Sequence, residues 1–253
     1  ELPDLVVERP EVGTGYASPI AYRPAEGPVE VVTLSALQVA SFALASGEKL
    51  WWVDGPSRQP KGAPFFLGGR CYVKSFMRPL SERHIVGLNG NFAEVLAEHD
   101  ANQDQKLARP EFPQARLQEL WPSIDQDGDE LLDAAEWELA LANATGGLFA
   151  ITLGGKGDVT ASHLAWKVDD RRTLVGLTTP VIVDRTMFLL GEGGLLTSLD
   201  IADGKIRKQE RVGEPDQYIA SPVTADGRLY VVSLSGLLSV VQAAPDWKVL
   251  STH

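Results

Sequence analysis

One cysteine, Cys71, in 253 residues rules out an internal disulfide, so covalent staples do not hold this chain together. Basic residues are also scarce, with 23 Lys and Arg against 34 Asp and Glu and a net charge of −11. A surface of that sign does not neutralise phosphates. It excludes nucleic acid as an expected partner and disfavours anionic membrane surfaces. No run approaches the roughly 18 apolar residues that cross a bilayer, so no membrane-spanning segment is expected. No signal peptide is visible, and the chain opens on Glu1 rather than Met, from which removal of an upstream segment is expected. What is present is ordinary globular composition, 44% hydrophobic and 23% charged, enough for one large β domain or two smaller ones.

The acidity is concentrated. Residues 94–138 hold thirteen Asp and Glu against Lys106, Arg109 and Arg116, which accounts for ten of the eleven net negative charges. Outside that segment a repeat is visible: a small residue followed by Pro opens "SPIAY" at Ser18, "APFFL" at Ala63, "TPVIV" at Thr179 and "SPVTA" at Ser221. Pro19 and Pro64 lie 45 residues apart, and Pro180 and Pro222 lie 42 apart. Each unit spells four short apolar or alternating runs separated by turn residues, as in "SPVTA", "RLYVVSL", "LLSVVQAA" and "WKVLST".

Between Pro64 and Pro180 the gap is 116 residues, about 70 more than one unit needs. Strands read from "APFFL" and "RCYVKSF" on one side and from "GLFAITL" and "HLAWKVD" on the other, which places an insertion in the middle hairpin of the second unit. The expected organisation is therefore propeller strands over 1–76, an inserted module over 77–146 and propeller strands over 147–253. Antiparallel four-stranded units of about 40 residues are the blades of a β-propeller. An extended sandwich would not require the turn cadence to return in register.

The runs "SGEKLWWVDG" and "LTSLDIADGKIRK", and the pattern from Pro222 to Val232, resemble the repeats of PQQ-like propellers. That superfamily holds the quinoprotein alcohol dehydrogenases and the outer-membrane assembly lipoprotein of the β-barrel machinery. The Gly-x-x-x-Trp of the family is met by Gly47 and Trp51, whereas Lys208 stands at that spacing after Gly204. The resemblance covers nearly everything outside 77–146 and implies seven or eight blades, of which about four are read here. The chain is thus expected to be part of a larger ring, completed by an absent N-terminal portion, a separate chain or a second copy. "DLVVERPEV" at Asp4–Val12 reads as the last strand of a further blade. Closure of four blades alone, with residues 6–8 as the closing strand, is the rival.

Within the acidic insert, "DQDGDELLDAAE" has the spacing of a 12-residue calcium loop, whose oxygens come from positions 1, 3, 5, 7, 9 and 12. Asp125, Asp127, Asp129, the Leu131 carbonyl, Asp133 directly or through water, and Glu136 fill them. Twenty-five residues earlier, "DANQDQKLARPE" offers Asp100, Asn102, Asp104, the Lys106 carbonyl and Glu111, with Ala108 leaving position 9 to water. Glu130 and Gln105 stand where Gly normally turns the loop; such a residue at positive φ costs on the order of 1 kcal/mol. With three carboxylates against five, the first loop is expected to bind more weakly.

Leu107 and Leu132 occupy position 8, where paired EF-hand loops align short strands. Phe92, Val95 and Leu96 fit an entering helix opened by Asn91 and Glu94 as a capping box. Leu117, Leu120 and Trp121 fit a shared helix, and Trp137 and Leu141 an exit helix. The module is thus expected to be a small all-α insertion holding one or two Ca²⁺. Acidic turns without a metal are the alternative. The only methionines, Met77 and Met187, lie outside these helices, so a Met-rich sensor groove is not expected and a structural role is.

A quinoprotein dehydrogenase, as the resemblance implies it, needs a complete ring, a stacking Trp, catalytic carboxylates about a central Ca²⁺ and usually a vicinal disulfide. One cysteine excludes that disulfide. Trp51, Trp52, Trp166 and Trp247 read as packing residues, and His84, His99, His163 and His253 have no ligand spacing. "GEGG" and "LGGKGD" lack the Gly-Lys-Ser/Thr ending of a phosphate loop. The expectation is a non-enzymatic, calcium-binding scaffold, with PQQ not expected as a cofactor and part of a PQQ-dependent dehydrogenase as the alternative. Its partner is a protein, the rest of the ring or a second subunit. The resemblance implies a bacterial periplasmic or extracellular location. Phe112, Trp121 and Trp137 would mark a docking patch if they were exposed.

Overall fold

The computed structural model describes residues 16–57, 60–75, 92–111, 121, 124–125, 127–137, 146–174 and 176–253. The strand expected at Asp4–Val12, the closing strand over 6–8, and Asn91, Phe112, Leu117, Leu120 and Leu141 fall outside them.

The first sheet is a meander of β1 (Ile20–Tyr22), β2 (Glu30–Ser35), β3 (Gln38–Ala43) and β4 (Lys49–Asp54). The second begins with β5 (Phe65–Leu67) and β6 (Arg70–Lys74). The chain then runs through α1 (Phe92–His99) and the two-residue strands β7 (Leu107–Ala108) and β8 (Leu131–Leu132), and returns as β9 (Leu148–Thr152), β10 (Gly157–Asp158), the short α2 (Thr160–His163) and β11 (Leu164–Val168). After α3 (Arg171–Leu174), β12 (Val181–Val183), β13 (Thr186–Leu190), β14 (Leu195–Asp200) and β15 (Ile206–Arg211) make the third sheet. The fourth consists of β16 (Val223–Ala225), β17 (Arg228–Val232), β18 (Leu238–Gln242) and β19 (Val249–Thr252).

Four four-stranded antiparallel units are the blades read from the repeat. Their turns follow the sequence: Gly68 and Gly69 both have positive φ (59° and 75°), as do Asp226 and Gly227 (50° and 68°), the backbone that a two-residue hairpin requires. In the second blade the order is β11-β9-β6-β5, with Lys74 opposite Leu148. Residues 75–147 therefore leave and re-enter the sheet between its second and third strands.

Alternation along each strand sends successive side chains to opposite neighbours. On β6, Cys71 and Val73 join Val32, Leu34, Trp51 and Val53 of the first blade, while Tyr72 joins Met187 and Leu189 of the third. On β13, Phe188 and Leu190 turn the other way, onto Leu229, Val231 and Val241 of the fourth. All five residues of β13 are buried because both of its faces are covered, whereas β2 alternates between buried and half-buried. Each fully buried side chain of this size contributes roughly 1.5–3 kcal/mol, so the interfaces between blades are the core. Cys71 lies inside one of them, and burial pushes its thiol well above the ordinary range, which makes it unreactive.

One element has no counterpart in the sequence reading. Gly157–Asp158, within "LGGKGD", adds β10 in parallel to the outer edge of the first blade, Gly157 opposite Trp51 and Asp158 opposite Trp52. The Asp54 N–H then donates to Thr160 Oγ1 at 2.9 Å. A chain segment of the second blade thus covers the outer edge of the first and pairs its backbone groups.

Candidate metal centre

The inserted segment has its own core. Phe92 and Val95 of α1, Leu107, Trp121, Ile124, Leu132 and Trp137 form one buried cluster that contains no residue of the four blades. The expected stripe of Phe92, Val95 and Leu96 is on α1, with Leu96 partly buried against the cluster. Leu107 pairs with Leu132, and Ala108 with Leu131, as an antiparallel two-stranded ribbon. This ribbon holds the two acidic loops side by side. Trp121 is 2% exposed and Trp137 0%, so neither presents the docking patch considered for them; both are committed to the cluster.

Each loop is wound around its own carboxylates. In the second, Asp125 accepts from the N–H groups of Gly128 (2.8 Å) and Glu130 (3.1 Å), Asp127 from Asp129 (3.1 Å) and Asp129 from Leu131 (2.8 Å). Glu136 closes the loop from its far end, accepting from Asp127 at 3.4 Å and from Asp133 at 3.1 Å, and Asp133 caps the Glu136 N–H at 2.9 Å. The first loop repeats this wiring. Asp100 accepts from Asp104 (3.3 Å) and Gln105 (3.0 Å), Asn102 from Asp104 (2.9 Å) and Asp104 from Lys106 (2.9 Å). Glu111 accepts from Ala101, Asn102 and Ala108 at 3.1, 3.2 and 2.9 Å. Residue six of each loop is left-handed, Gln105 at φ 65° and Glu130 at φ 63°, the conformation for which Gly is favoured at that position.

This winding brings one oxygen each of Asp125, Asp127 and Glu136 within 4.8 Å of one another. Oxygens bound to a common Ca²⁺ at 2.3–2.6 Å lie no more than about 5 Å apart, so the three converge as a shared hard-cation site requires. Glu136 is 1% exposed and holds the closing position of a bidentate ligand. The Lys106 ammonium sits 2.9 Å from Asp129 Oδ2 and joins the two loops. The hydrogen bond from Lys106, then that from the Leu131 N–H, hold the Asp129 carboxyl below its usual range. The same bond raises Lys106. Nothing in the spacing of the carboxylates points to this cross-loop pair, because Lys106 enters the loop pattern only through its carbonyl.

Three tryptophans of the blades make contacts within and between the sheets. Trp51 donates to Glu30 Oε2 at 3.0 Å and Trp166 to the Ile201 carbonyl at 3.0 Å, while the Lys208 ammonium lies 4.4 Å above the Trp247 ring. His163 bonds its neighbour Ser162 and His253 bonds Ser251; these are local contacts.

Residues 16–251 match the sequence family described as "Outer membrane protein assembly factor BamB". The chain belongs to this BamB family. The match takes in all four blades, and with it the PQQ-like propeller repeat read from the sequence is established. No curated protein sequence matches the chain. Among solved structures it is similar to BamB from Moraxella catarrhalis, at 13% identity and a TM-score of 0.47 over 95% of this chain and 51% of that one. It therefore spans about half the length of that BamB. The computationally designed Ika4 protein is similar at 10% identity and a TM-score of 0.46, covering 92% of this chain and 99% of that one. A europium-containing methanol dehydrogenase is similar at 11% identity and a TM-score of 0.32, over 42% and 21%. Among the described residues of this BamB-family chain, no helix is long and apolar enough to cross a membrane.

Proposed function

We propose that this chain is a non-enzymatic, calcium-binding propeller that serves as a protein-assembly or interaction scaffold, with the paired acidic loops as an EF-hand-like module projecting from one blade. The observation that carries the calcium reading is the convergence of Asp125, Asp127 and Glu136 in a loop whose N–H groups already orient the carboxylates. One Ca²⁺ would be held by Asp125, Asp127, Asp129, the Leu131 carbonyl, Asp133 and Glu136. A second, weaker one would be held by Asp100, Asn102, Asp104, the Lys106 carbonyl and Glu111. Two such ions would offset four of the ten net negative charges of residues 94–138, which repel one another in so small a volume. Calcium therefore serves as a brace for the module.

Family membership supports the scaffold reading, since the family is described by assembly, and it supports a bacterial periplasmic or extracellular location. The dehydrogenase alternative gains nothing from the tryptophans, because Trp51, Trp166 and Trp247 are held in contacts between strands and blades. Accordingly, no PQQ is assigned.

Native mass spectrometry in calcium buffer and after EGTA tests the metal reading. Two calcium masses are expected, both lost to EGTA, with Glu136→Gln removing one of them; a chain that binds none, or a Glu136→Gln variant that binds two, overturns it. Affinity provides a finer check. Glu130→Gly relieves the left-handed strain at φ 63°, worth about 1 kcal/mol, and should tighten the second site about fivefold by calorimetry. Glu130→Gln removes the charge while keeping the strain, so it should not reproduce the gain.

A further inference from the structure

Lys74 closes β6, on the same side of the strand as Tyr72, which is turned toward the third blade. It is 5% exposed, and a lysine buried to that degree is rare unless an opposite charge accompanies it. Its ammonium donates to the carbonyls of Gly176 and Thr178 at 3.2 and 3.3 Å. The third blade fixes both acceptors. Gly176, at φ 126°, lies so close to the turn after β13 that a Cβ there would meet the Glu192 nitrogen at 3.2 Å, and Thr178 Oγ1 donates to the Leu190 carbonyl. These carbonyls hold the ammonium in place and leave its full charge. Among the described residues no carboxylate forms an ion pair with it, and Glu192 attracts it only from a distance. Lys74 also lines a cleft between the loops that lead into β5 and β12, together with Lys61, Gly62, Gly176, Leu177 and Thr178. The cleft is open on one side and has room for one water-sized occupant. Two lysines and no carboxylate line it.

We propose that this cleft binds a small monovalent anion of the size of chloride, held by the Lys74 ammonium with Lys61 as the second cation of the site. An ammonium has three donors, and the two carbonyls take two of them. A water in the cleft would accept from the third and leave the buried charge uncompensated. An anion does both, and a hydrogen bond between charged partners is roughly twice as strong as a neutral one. The size of the cleft sets the class of ligand, since a phosphate or a sulfate exceeds the space of a single water. Burial lowers the Lys74 pKa from 10.5 to about 8, partly opposed by the attraction of Glu192, which is the direction expected of a buried cation without a carboxylate partner. None of the lining residues belongs to the two acidic loops, so the proposal is independent of the calcium reading and the two fail separately.

Thermal unfolding of the 253-residue chain at pH 7, with sodium chloride replacing sodium gluconate at fixed ionic strength, tests this. Chloride at about 0.15 M is expected to raise Tm by about 3 °C, and bromide should act alike. Lys74→Met should abolish the shift. Lys61→Gln, at an exposed position, should keep the fold and raise the half-saturating chloride concentration about fivefold. Wild type at pH 10.5, where the Lys74 amine is neutral, should show no difference between the two salts. That arm carries the comparison if Lys74→Met does not fold. In crystals soaked in bromide, an anomalous peak is expected beside Lys74 Nζ. Equal Tm values in chloride and gluconate at pH 7 would mean that water alone occupies the cleft. A chloride shift that persists in Lys74→Met, or in wild type at pH 10.5, would mean a general salt effect. Each of these results overturns the proposal.

Discussion

Trp137→Ala is expected to unfold the paired-loop module while leaving the four blades standing. The side chain is 0% exposed, and its ring lies 6.2 Å from that of Phe92, in a cluster that holds six other buried residues among those described. Removing a buried Trp costs about 3–5 kcal/mol, comparable with the whole stability that a core of this size supplies. Trp137 also follows Glu136 directly, so its loss releases the closing carboxylate of the second loop. The first loop should fail with it, because the ribbon of Leu107 and Leu132 transmits the register. Amide hydrogen exchange would show this as lost protection at Leu107 and Leu132 in calcium and in EGTA alike, with protection at Phe188 and Val231 unchanged. Simultaneous loss at all four positions would mean that module and blades fold as one unit.

Lys74 should impose an inverted alkaline profile on stability. Its side chain is 5% exposed, and its ammonium donates to the carbonyls of Gly176 and Thr178 at 3.2 and 3.3 Å. Among the described residues no carboxylate forms an ion pair with it. Burial lowers its pKa from 10.5 to about 8, partly opposed by the attraction of Glu192. Below the folded value both states carry the proton, and the folded state bears the full penalty of a buried charge. Between pH 8 and 10.5 the folded chain has released that proton while the unfolded chain still holds it, so this group makes stability rise with pH. The gain is about 3 kcal/mol across the window. Lys74→Met leaves the two carbonyls unpaired at a cost that does not depend on pH. The difference in unfolding free energy between wild type and variant therefore isolates the proton: it should move toward the wild type by about 3 kcal/mol from pH 7.5 to 10.5, and a flat difference would show that Lys74 is not a buried cation in the folded state.

The convergence of Asp125, Asp127 and Glu136 was legible because the winding of an acidic loop is local. Ligand positions recur within twelve residues, and the turn that unites them is formed by their own carboxylates accepting neighbouring N–H groups, so spacing alone marks Asp125, Asp127 and Glu136 for convergence. The same locality makes the left-handed conformation of Glu130 and Gln105 readable from their place in the loop. The pair between Lys106 and Asp129 was not legible, since it joins residues 23 apart through a long flexible side chain that the loop pattern does not use.

The sequence by itself determined the blades, their turns and the point where the repeat is interrupted, because strand alternation, positive-φ turn residues and a period near 42 are written in short stretches of chain. Only the tertiary structure decided how those blades are used. It set Gly157 and Asp158 as an added strand beside Trp51 and Trp52, turned Trp121 and Trp137 inward, and buried Lys74 against the carbonyls of Gly176 and Thr178. It also separated Leu190 from Val232, which occupy the same position of the repeat: one is covered by the next sheet and the other meets water. The physical reason is that burial is a property of neighbours, and whether another sheet covers a given blade is not written in the strands of that blade.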